Sequence, residues 1–242
     1  MKAVEIQNMS FSYGHSLVLD QVSFTIQEGD FVGIIGPNGG GKTTLMKLML
    51  GLLKPQKGTI KLLGKKVPHP KASVGYVPQN TSHNIDFPIT VEECVALGFL
   101  NQKKDPKLIS WALEQVHMQD YRFKRLGELS GGERQRIFIA RALVSSPRIM
   151  LLDEPSSNID VGGQEQLFKL LEELNQQMTV VVVSHDLMVL SNRIKSVVCV
   201  NKTAHYHPER EVTSEMMRKM YGCEVDLIAH GIPHRVFAEH HC

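Results

Sequence analysis

The sequence lacks long hydrophobic runs and closely spaced cysteines. Its longest apolar runs, such as TVVVVS at 179–184, are strand-sized and fall far below the roughly 18 residues of a membrane span. The first residues alternate apolar and polar side chains and lack the apolar core and cleavage site of a secretory signal. The four cysteines show no CxxC spacing, which predicts reduced thiols and no disulfides. We therefore expect the chain to stay in the cytosol.

The sequence also lacks a strong excess of either charge. A formal net charge of +2 and the absence of a long basic run argue against a nucleic-acid partner. Hydrophobic residues make up 42% and charged residues 21%, which is typical of a globular protein with a substantial core. At 242 residues, without repeats or low-complexity segments, the chain fits one α/β domain or a core with one small subdomain.

Short β-rich runs alternate with helical stretches, a pattern typical of a mainly parallel sheet covered by helices. Near residues 4–6 and 22–26 apolar and polar residues alternate, which predicts an N-terminal antiparallel β subdomain. Between residues 79 and 146 helical spacing predicts an inserted helical subdomain, so that 1–78 and 147–200 form the core. Strands are expected to stop near residue 201, and 201–242 form an extension containing His and Cys. The predicted parallel strands are FVGIIG, SVGYVPQ, RIMLLD, TVVVVS and SVVCVN.

A glycine-rich stretch, GPNGGGKTT at 36–44, lies between a predicted strand and an apolar helix. Glycines let successive N–H groups turn toward one anion, and the helix N-terminus adds partial positive charge. Lys42 can reach the outer phosphates, and Thr43 can hold Mg²⁺. The alternative is an accidental Gly/Lys turn, a pattern that arises by chance in such a chain about once in a hundred. The predicted phosphate-binding residues are Gly36, Asn38, Gly39, Gly40, Gly41, Lys42, Thr43 and Thr44.

A second element, IMLLDE at 149–154, is an apolar strand that ends in two adjacent carboxylates. Ligands of a parallel sheet lie at the carboxyl ends of its strands. Asp153 is therefore expected to face Mg²⁺, and Glu154 is expected to lie beside the γ-phosphate and orient or deprotonate water. The alternative is a polar turn after a structural strand.

A second glycine-rich stretch, LSGGERQR at 129–136, begins with Ser130 and Glu133 at the spacing of a capping box. This spacing predicts a helix that starts at Ser130. One interpretation is a well-capped helix and nothing more. However, Gly131 and Gly132 each cost about 1 kcal/mol relative to alanine, which favours close approach of another group's backbone or phosphate. One chain cannot easily fold two phosphate sites around one ATP, so we infer that this helix serves a second chain.

These motifs, in this order, resemble those of the ATP-binding cassette (ABC) ATPases over nearly all of residues 1–200. The resemblance implies a P-loop NTPase core of the RecA-like kind. It implies a head-to-tail homodimer with two ATP molecules, each held between Lys42 of one subunit and Ser130, Gly131 and Gly132 of the other. Glu133 departs from the commonest signature, where many members have glutamine, but a carboxylate suits this helix start.

The same resemblance assigns roles to single residues. Glu154 is implied as the catalytic base, Tyr13 as the aromatic that stacks on adenine, and His185 as the γ-phosphate switch. Gln79 is implied as the lid glutamine and, with Thr43 and Asp153, as a Mg²⁺ ligand. Asp160, in SNID at 157–160, belongs to the loop that crosses the dimer interface.

A lone cassette without a membrane span resembles the separate ATPase subunit of an importer, which binds an integral-membrane permease through a groove near Gln79. NGGGK and FPITVEECVALG at 87–98 resemble the branch that imports zinc, manganese or iron. That branch implies an extracytoplasmic metal-binding protein as an indirect partner, and a place on the inner face of the cell membrane. The alternatives are an importer of another solute, or a cytosolic ATP-dependent regulatory module without a permease.

The tail resembles that of the zinc members and carries His230, His234 and His240, with Cys242 as a weaker candidate. Imidazole and thiolate are common zinc ligands. The alternative is a set of solvated histidines, since no pair has the tight spacing of a structural site.

Overall fold

The computed structural model describes residues 1–67, 74–79, 88–99, 103–157, 159–184 and 193–208, and the backbone of 227–229 and 235–237. The strands are β1 (Lys2–Tyr13), β2 (Ser16–Gln27), β3 (Phe31–Ile35), β4 (Lys57–Leu62), β5 (Lys65–Lys66), β6 (Val74–Val77), β7 (Ile149–Asp153), β8 (Thr179–Val183), β9 (Ser196–Asn201), β10 (Thr203–His207), β11 (Leu227–Ala229) and β12 (Arg235–Phe237). The α-helices are α1 (Lys42–Met49), α2 (Val91–Ala96), α3 (Pro106–Gln115), α4 (Gly131–Leu143) and α5 (Val161–Asn175).

The N-terminal strands form the predicted antiparallel layer. β1 pairs with β2, with Val4 opposite Ile26, and on its other side with β4. β4 and β5, which the sequence analysis did not predict, form a hairpin whose turn residues Leu63 and Gly64 both have positive φ. Two such residues are the backbone signature of a tight hairpin turn.

The main sheet has six strands in the order β10-β9-β3-β8-β7-β6. All five predicted strands are present as β3, β6, β7, β8 and β9, and they run parallel to one another. The prediction of a parallel α/β fold is therefore confirmed.

The prediction that strands stop near residue 201 is wrong. β10 turns back at Lys202, which has a φ of 57°, and pairs antiparallel with β9. Its Ala204 and Tyr206 alternate with polar residues and pack against the core. β11 and β12 pair with each other further along the chain.

Two apolar cores lie on the opposite faces of the main sheet, because successive strand residues point to opposite sides. On β7, Met150 and Leu152 join the core that contains α2 to α5, whereas Ile149 and Leu151 join the core shared with α1 and the antiparallel layer. None of the helices in the described ranges is long and apolar enough to cross a membrane.

Candidate active site

The phosphate loop joins the fully buried strand β3 to α1. Gly41 caps α1 with a φ of 103°, a conformation that favours glycine. Gly36 has no room for a side chain, since a Cβ there would lie 2.0 Å from the Val200 carbonyl oxygen of β9. Asn38, Gly39 and Thr43 are exposed, so the loop presents its backbone and the start of α1 outward. This geometry fits a bound polyphosphate.

Lys42 folds back over this loop. Its Nζ donates to the Gly36 carbonyl oxygen at 2.8 Å and to the Pro37 carbonyl oxygen at 3.0 Å. Burial lowers the pKa of the Lys42 ammonium, and the nearby Glu154 and Asp153 carboxylates oppose that change. The two carbonyl oxygens therefore stabilise the buried Lys42 ammonium group, and a bound phosphate can replace them as its hydrogen-bond partner.

Asp153 ends β7 as a nearly buried carboxylate, 2% exposed. Burial raises its pKa, the neighbouring Glu154 raises it further, and Lys42 and Lys47 lower it. Within the described ranges, its Oδ1 has no hydrogen-bond partner. An unpartnered buried carboxylate oxygen fits a divalent cation that takes oxygen ligands, and the Thr43 hydroxyl at the start of α1 is a suitable second donor.

Glu154 and Gln79 contact each other directly. Gln79 Nε2 donates to Glu154 Oε2 at 2.6 Å. Glu154 has a φ of 46°, and its backbone N–H donates to the Val183 carbonyl oxygen at 2.9 Å. A non-glycine residue in this region of φ is uncommon and marks a position fixed by its surroundings. The bond from Gln79 fixes the direction of the Glu154 carboxylate, which the sequence predicts to activate water.

The parallel sheet explains why these residues meet. β3, β7 and β6 end at the same edge of the sheet. The phosphate loop follows β3, Asp153 and Glu154 lie at the end of β7, and Gln79 follows β6. The structure thus brings together Lys42, Asp153, Glu154 and Gln79, which the sequence analysis assigned to one site.

The second glycine-rich stretch begins α4 with the predicted capping box. Ser130 Oγ accepts from the Glu133 backbone N–H at 3.3 Å, and Glu133 Oε2 accepts from the Ser130 backbone N–H at 2.8 Å. In the described structure no hydrogen bond joins Ser130, Gly131 or Gly132 to the phosphate loop. A Cβ on Gly132 would meet only Ile159, at an ordinary 3.7 Å. Packing within the chain therefore does not require glycine at this position.

Two further predicted site residues have contacts of their own. Tyr13, 48% exposed, packs edge-on against Phe11 with ring centroids 4.9 Å apart, which leaves ring surface open to solvent. Asp160 caps α5, because its Oδ1 accepts from the Gly163 backbone N–H at 2.7 Å. This contact gives Asp160 a structural role in the single chain.

His185 and the tail histidines His230, His234 and His240 lie outside the described residues. In the part of the chain that the structure does describe, no group of three or more His, Cys, Asp or Glu side chains could hold a metal ion.

Tyr76 lies beside the site and is not among the residues predicted from the sequence. Tyr76 pairs with Leu151 and so shares a sheet face with Asp153, two residues further along β7. Burial and the Asp153 carboxylate raise the pKa of the Tyr76 phenol. The alternation in VGYV, which places Tyr76 and Val74 on one face, was the available signal.

Comparison with known proteins gives concordant results. A family model described as ABC transporter matches residues 19–157. The zinc uptake system ATP-binding protein ZurA of Listeria monocytogenes is 40% identical, with 92% of this chain and 96% of ZurA covered. The manganese transport system ATP-binding protein MntB of Halalkalibacterium halodurans is 39% identical, with 90% and 91% covered. An inward-facing transporter described as of the metal-chelate type superposes with a TM-score of 0.81 at 28% identity, covering 93% of this chain and 91% of that chain.

Proposed function

We propose that this chain, which belongs to the ABC transporter family, is the ATP-hydrolysing subunit of an importer of divalent metal ions. ATP binding and hydrolysis follow from the family. The single observation that supports metal import is the similarity, over nearly the whole chain, to a zinc uptake ATP-binding protein. The manganese relative is 39% identical against 40% for the zinc relative, so manganese stays open beside zinc and iron. Zinc is favoured only by the resemblance of the tail to that of the zinc members.

In the proposed mechanism, Lys42 leaves the Gly36 and Pro37 carbonyl oxygens and donates to the outer phosphates of ATP. Thr43, Asp153 and Gln79 would hold Mg²⁺, which would supply neutralising charge at the phosphate oxygens. Glu154, oriented by Gln79, accepts a proton from the attacking water. From the sequence alone, we retain His185 as a contact to the γ-phosphate and Tyr13 as the adenine platform.

We further propose that the site is completed by a second copy of the chain. Ser130 caps α4, a helix of thirteen residues whose first residues, Gly131 and Gly132, make no hydrogen bond to the phosphate loop in the part of the chain that the structure describes. A helix N-terminus binds anions through its free N–H groups and its dipole. In the homodimer, this helix would bind the γ-phosphate on the partner, and the segment at Asp160 would lie at the interface.

The remaining partners follow from the proposed role. An integral-membrane permease would carry the metal, an extracytoplasmic protein would deliver it, and this chain would lie on the inner face of the cell membrane. We retain the division into a core (1–78 and 147–200), a helical subdomain (79–146) and an extension (201–242) as part of the proposal, with the correction that β10 (Thr203–His207) belongs to the sheet of the core.

Elemental analysis of cells tests metal import. Cells that lack this chain should accumulate less zinc, manganese or iron than cells that carry it. The wild-type chain should restore the lost metal, and Glu154→Gln should not. If the content of all three metals is unchanged by the loss of the chain, the proposed substrate class is wrong.

A further inference from the structure

The start of α4 is held by two hydrogen bonds of unequal length. Glu133 Oε2 accepts from the Ser130 backbone N–H at 2.8 Å, whereas Ser130 Oγ accepts from the Glu133 backbone N–H at 3.3 Å. The second distance lies beyond the usual range of an N–H···O bond, so the Ser130 hydroxyl is weakly engaged and can turn to a bound anion. The Glu133 carboxylate is therefore the half of the capping box that keeps the helix start in place.

The same carboxylate can compete with a bound phosphate. Gly131 and Gly132 begin α4, and within the described ranges their backbone N–H groups have no hydrogen-bond acceptor. Free N–H groups at a helix start bind a phosphate, but they also bind a carboxylate that reaches them. Glu133 already folds back over the first turn of the helix, so its side chain is long enough to reach them. A phosphate on the partner subunit therefore meets least competition while the carboxylate stays on the Ser130 N–H.

Tyr121 and Lys124 stabilise this carboxylate from outside the helix. The Tyr121 phenol faces Glu133, and hydrogen bonding to the Glu133 carboxylate raises the pKa of the phenol. The bonds to Ser130 lower the pKa of Glu133, and Tyr121 and the Lys124 ammonium group lower it further. Lys124 Nζ also lies 4.4 Å from the centre of the Tyr121 ring, within the distance of a cation–π contact. The Glu133 carboxylate thus has the Ser130 N–H and the Tyr121 phenol as donors, and a nearby cation offsets its charge.

The segment that carries Tyr121 and Lys124 is fixed to the rest of the subunit. The Lys124 carbonyl oxygen accepts from the Val91 N–H at 2.9 Å, and the Leu126 N–H donates to the Ile89 carbonyl oxygen at 2.9 Å. The Tyr121 ring packs against the core that contains α2 to α5. Contacts within the single subunit therefore hold Tyr121 in place, and its position does not depend on a partner.

We propose that Tyr121 and Lys124 are positioning residues of the composite ATP site that two copies of the chain form. They hold the Glu133 carboxylate on the Ser130 N–H, which leaves the first two N–H groups of α4 open to the γ-phosphate on the partner subunit. The proposal rests on the proposed homodimer and adds the residues that keep a charged Glu133 from replacing or repelling that phosphate.

The test measures ATP-dependent association of the full chain, in a Glu154→Gln parent that should hold the dimer without hydrolysis. With Mg-ATP, Tyr121→Phe should weaken association about five- to tenfold, because it removes a hydrogen bond to a charged group and keeps the ring. Lys124→Met should also weaken association, since it removes the cation. Tyr206→Phe is the matched control and should change association by about twofold at most, because Tyr206 packs against the other core. The affinity of the single subunit for ATP, measured at low chain concentration, should be unchanged in every variant.

A double-mutant cycle separates positioning from a merely structural role. In a Glu133→Gln background no carboxylate competes with the phosphate, so adding Tyr121→Phe should change association by about twofold at most. An equal loss in both backgrounds, or no loss with Tyr121→Phe and Lys124→Met in the parent, would overturn the proposal. Complete loss of association with Glu133→Gln alone would also overturn it, because the proposal makes a neutral side chain harmless at this position. If the parent does not associate with Mg-ATP, the proposed homodimer fails, and this proposal fails with it. Lys124→Met in both backgrounds decides the case in which Tyr121→Phe does not fold.

Discussion

Replacing Asp153 with Asn should make the nucleotide-free chain more stable while it removes activity. The Asp153 carboxylate is 2% exposed, has an unpartnered Oδ1 within the described structure, and lies beside Glu154. Each of these features disfavours its charged form in the absence of a cation. Asparagine keeps a polar atom at this position but removes the buried charge, and removing that desolvation penalty is worth on the order of 1 to 2 kcal/mol. For a chain of this size, that corresponds to a rise of roughly 2 to 8 °C in Tm.

The stability gained by Asp153→Asn should depend on pH. Because folding raises the pKa of Asp153, its ionised form destabilises the fold at pH values above that raised pKa. The penalty fades as the pH falls through the raised pKa toward the ordinary range of aspartate. The stability difference between Asp153→Asn and wild type should therefore be largest near neutral pH and shrink on acidification.

Thermal unfolding without nucleotide or divalent cation measures this difference. Glu154→Gln carries the same amide change on the adjacent, half-buried carboxylate and should gain less stability. With Mg-ATP present the order should reverse, since only wild type gains from the bound cation. If Asp153→Asn has a lower Tm than wild type at pH 7.5 without ligands, the ionised Asp153 carboxylate does not destabilise the metal-free fold.

Three further predictions concern the shared site and the tail. Glu154→Gln should bind ATP normally and hydrolyse it at least about a hundredfold more slowly, so that light scattering detects a lasting dimer with Mg-ATP; turnover at the wild-type rate would remove Glu154 from the role of base. Ser130→Arg chains mixed with Lys42→Ala chains should recover ATP-dependent association through one intact composite site, and a mixture without any association would contradict the shared geometry. If the tail histidines bind zinc, calorimetric titration with reduced thiols and Mg-ATP will show more zinc bound by the full chain than by a chain that ends at Asp226, whereas equal uptake would leave the alternative of solvated histidines.

The parts of the site that could be predicted from the sequence are local in the chain. The phosphate loop and the capping box of α4 are formed by residues within a few positions of one another. The spacing of these residues in the sequence therefore predicts the local backbone geometry. The contact between Gln79 and Glu154 joins residues 75 positions apart, and the sequence could suggest it only through the shared edge of a parallel sheet. The positive φ of Glu154 has no local signal at all.

The missed features have physical reasons. β10 was overlooked because only Ala204 and Tyr206 face the core, and the polar residues between them resemble a solvated tail. The β4–β5 hairpin is short and mostly polar, so its alternation is weak.

The most direct test of the account is the transport of metal coupled to ATP hydrolysis by a purified complex. Proteoliposomes would hold the permease with this chain, with Mg-ATP on the side where the chain is bound and the metal-loaded binding protein on the other. We expect metal uptake that requires ATP, prefers zinc, manganese or iron to Ca²⁺, and stops with Glu154→Gln. Uptake that continues at the same rate with Glu154→Gln, or ATP hydrolysis without uptake of any of these metals, would contradict it.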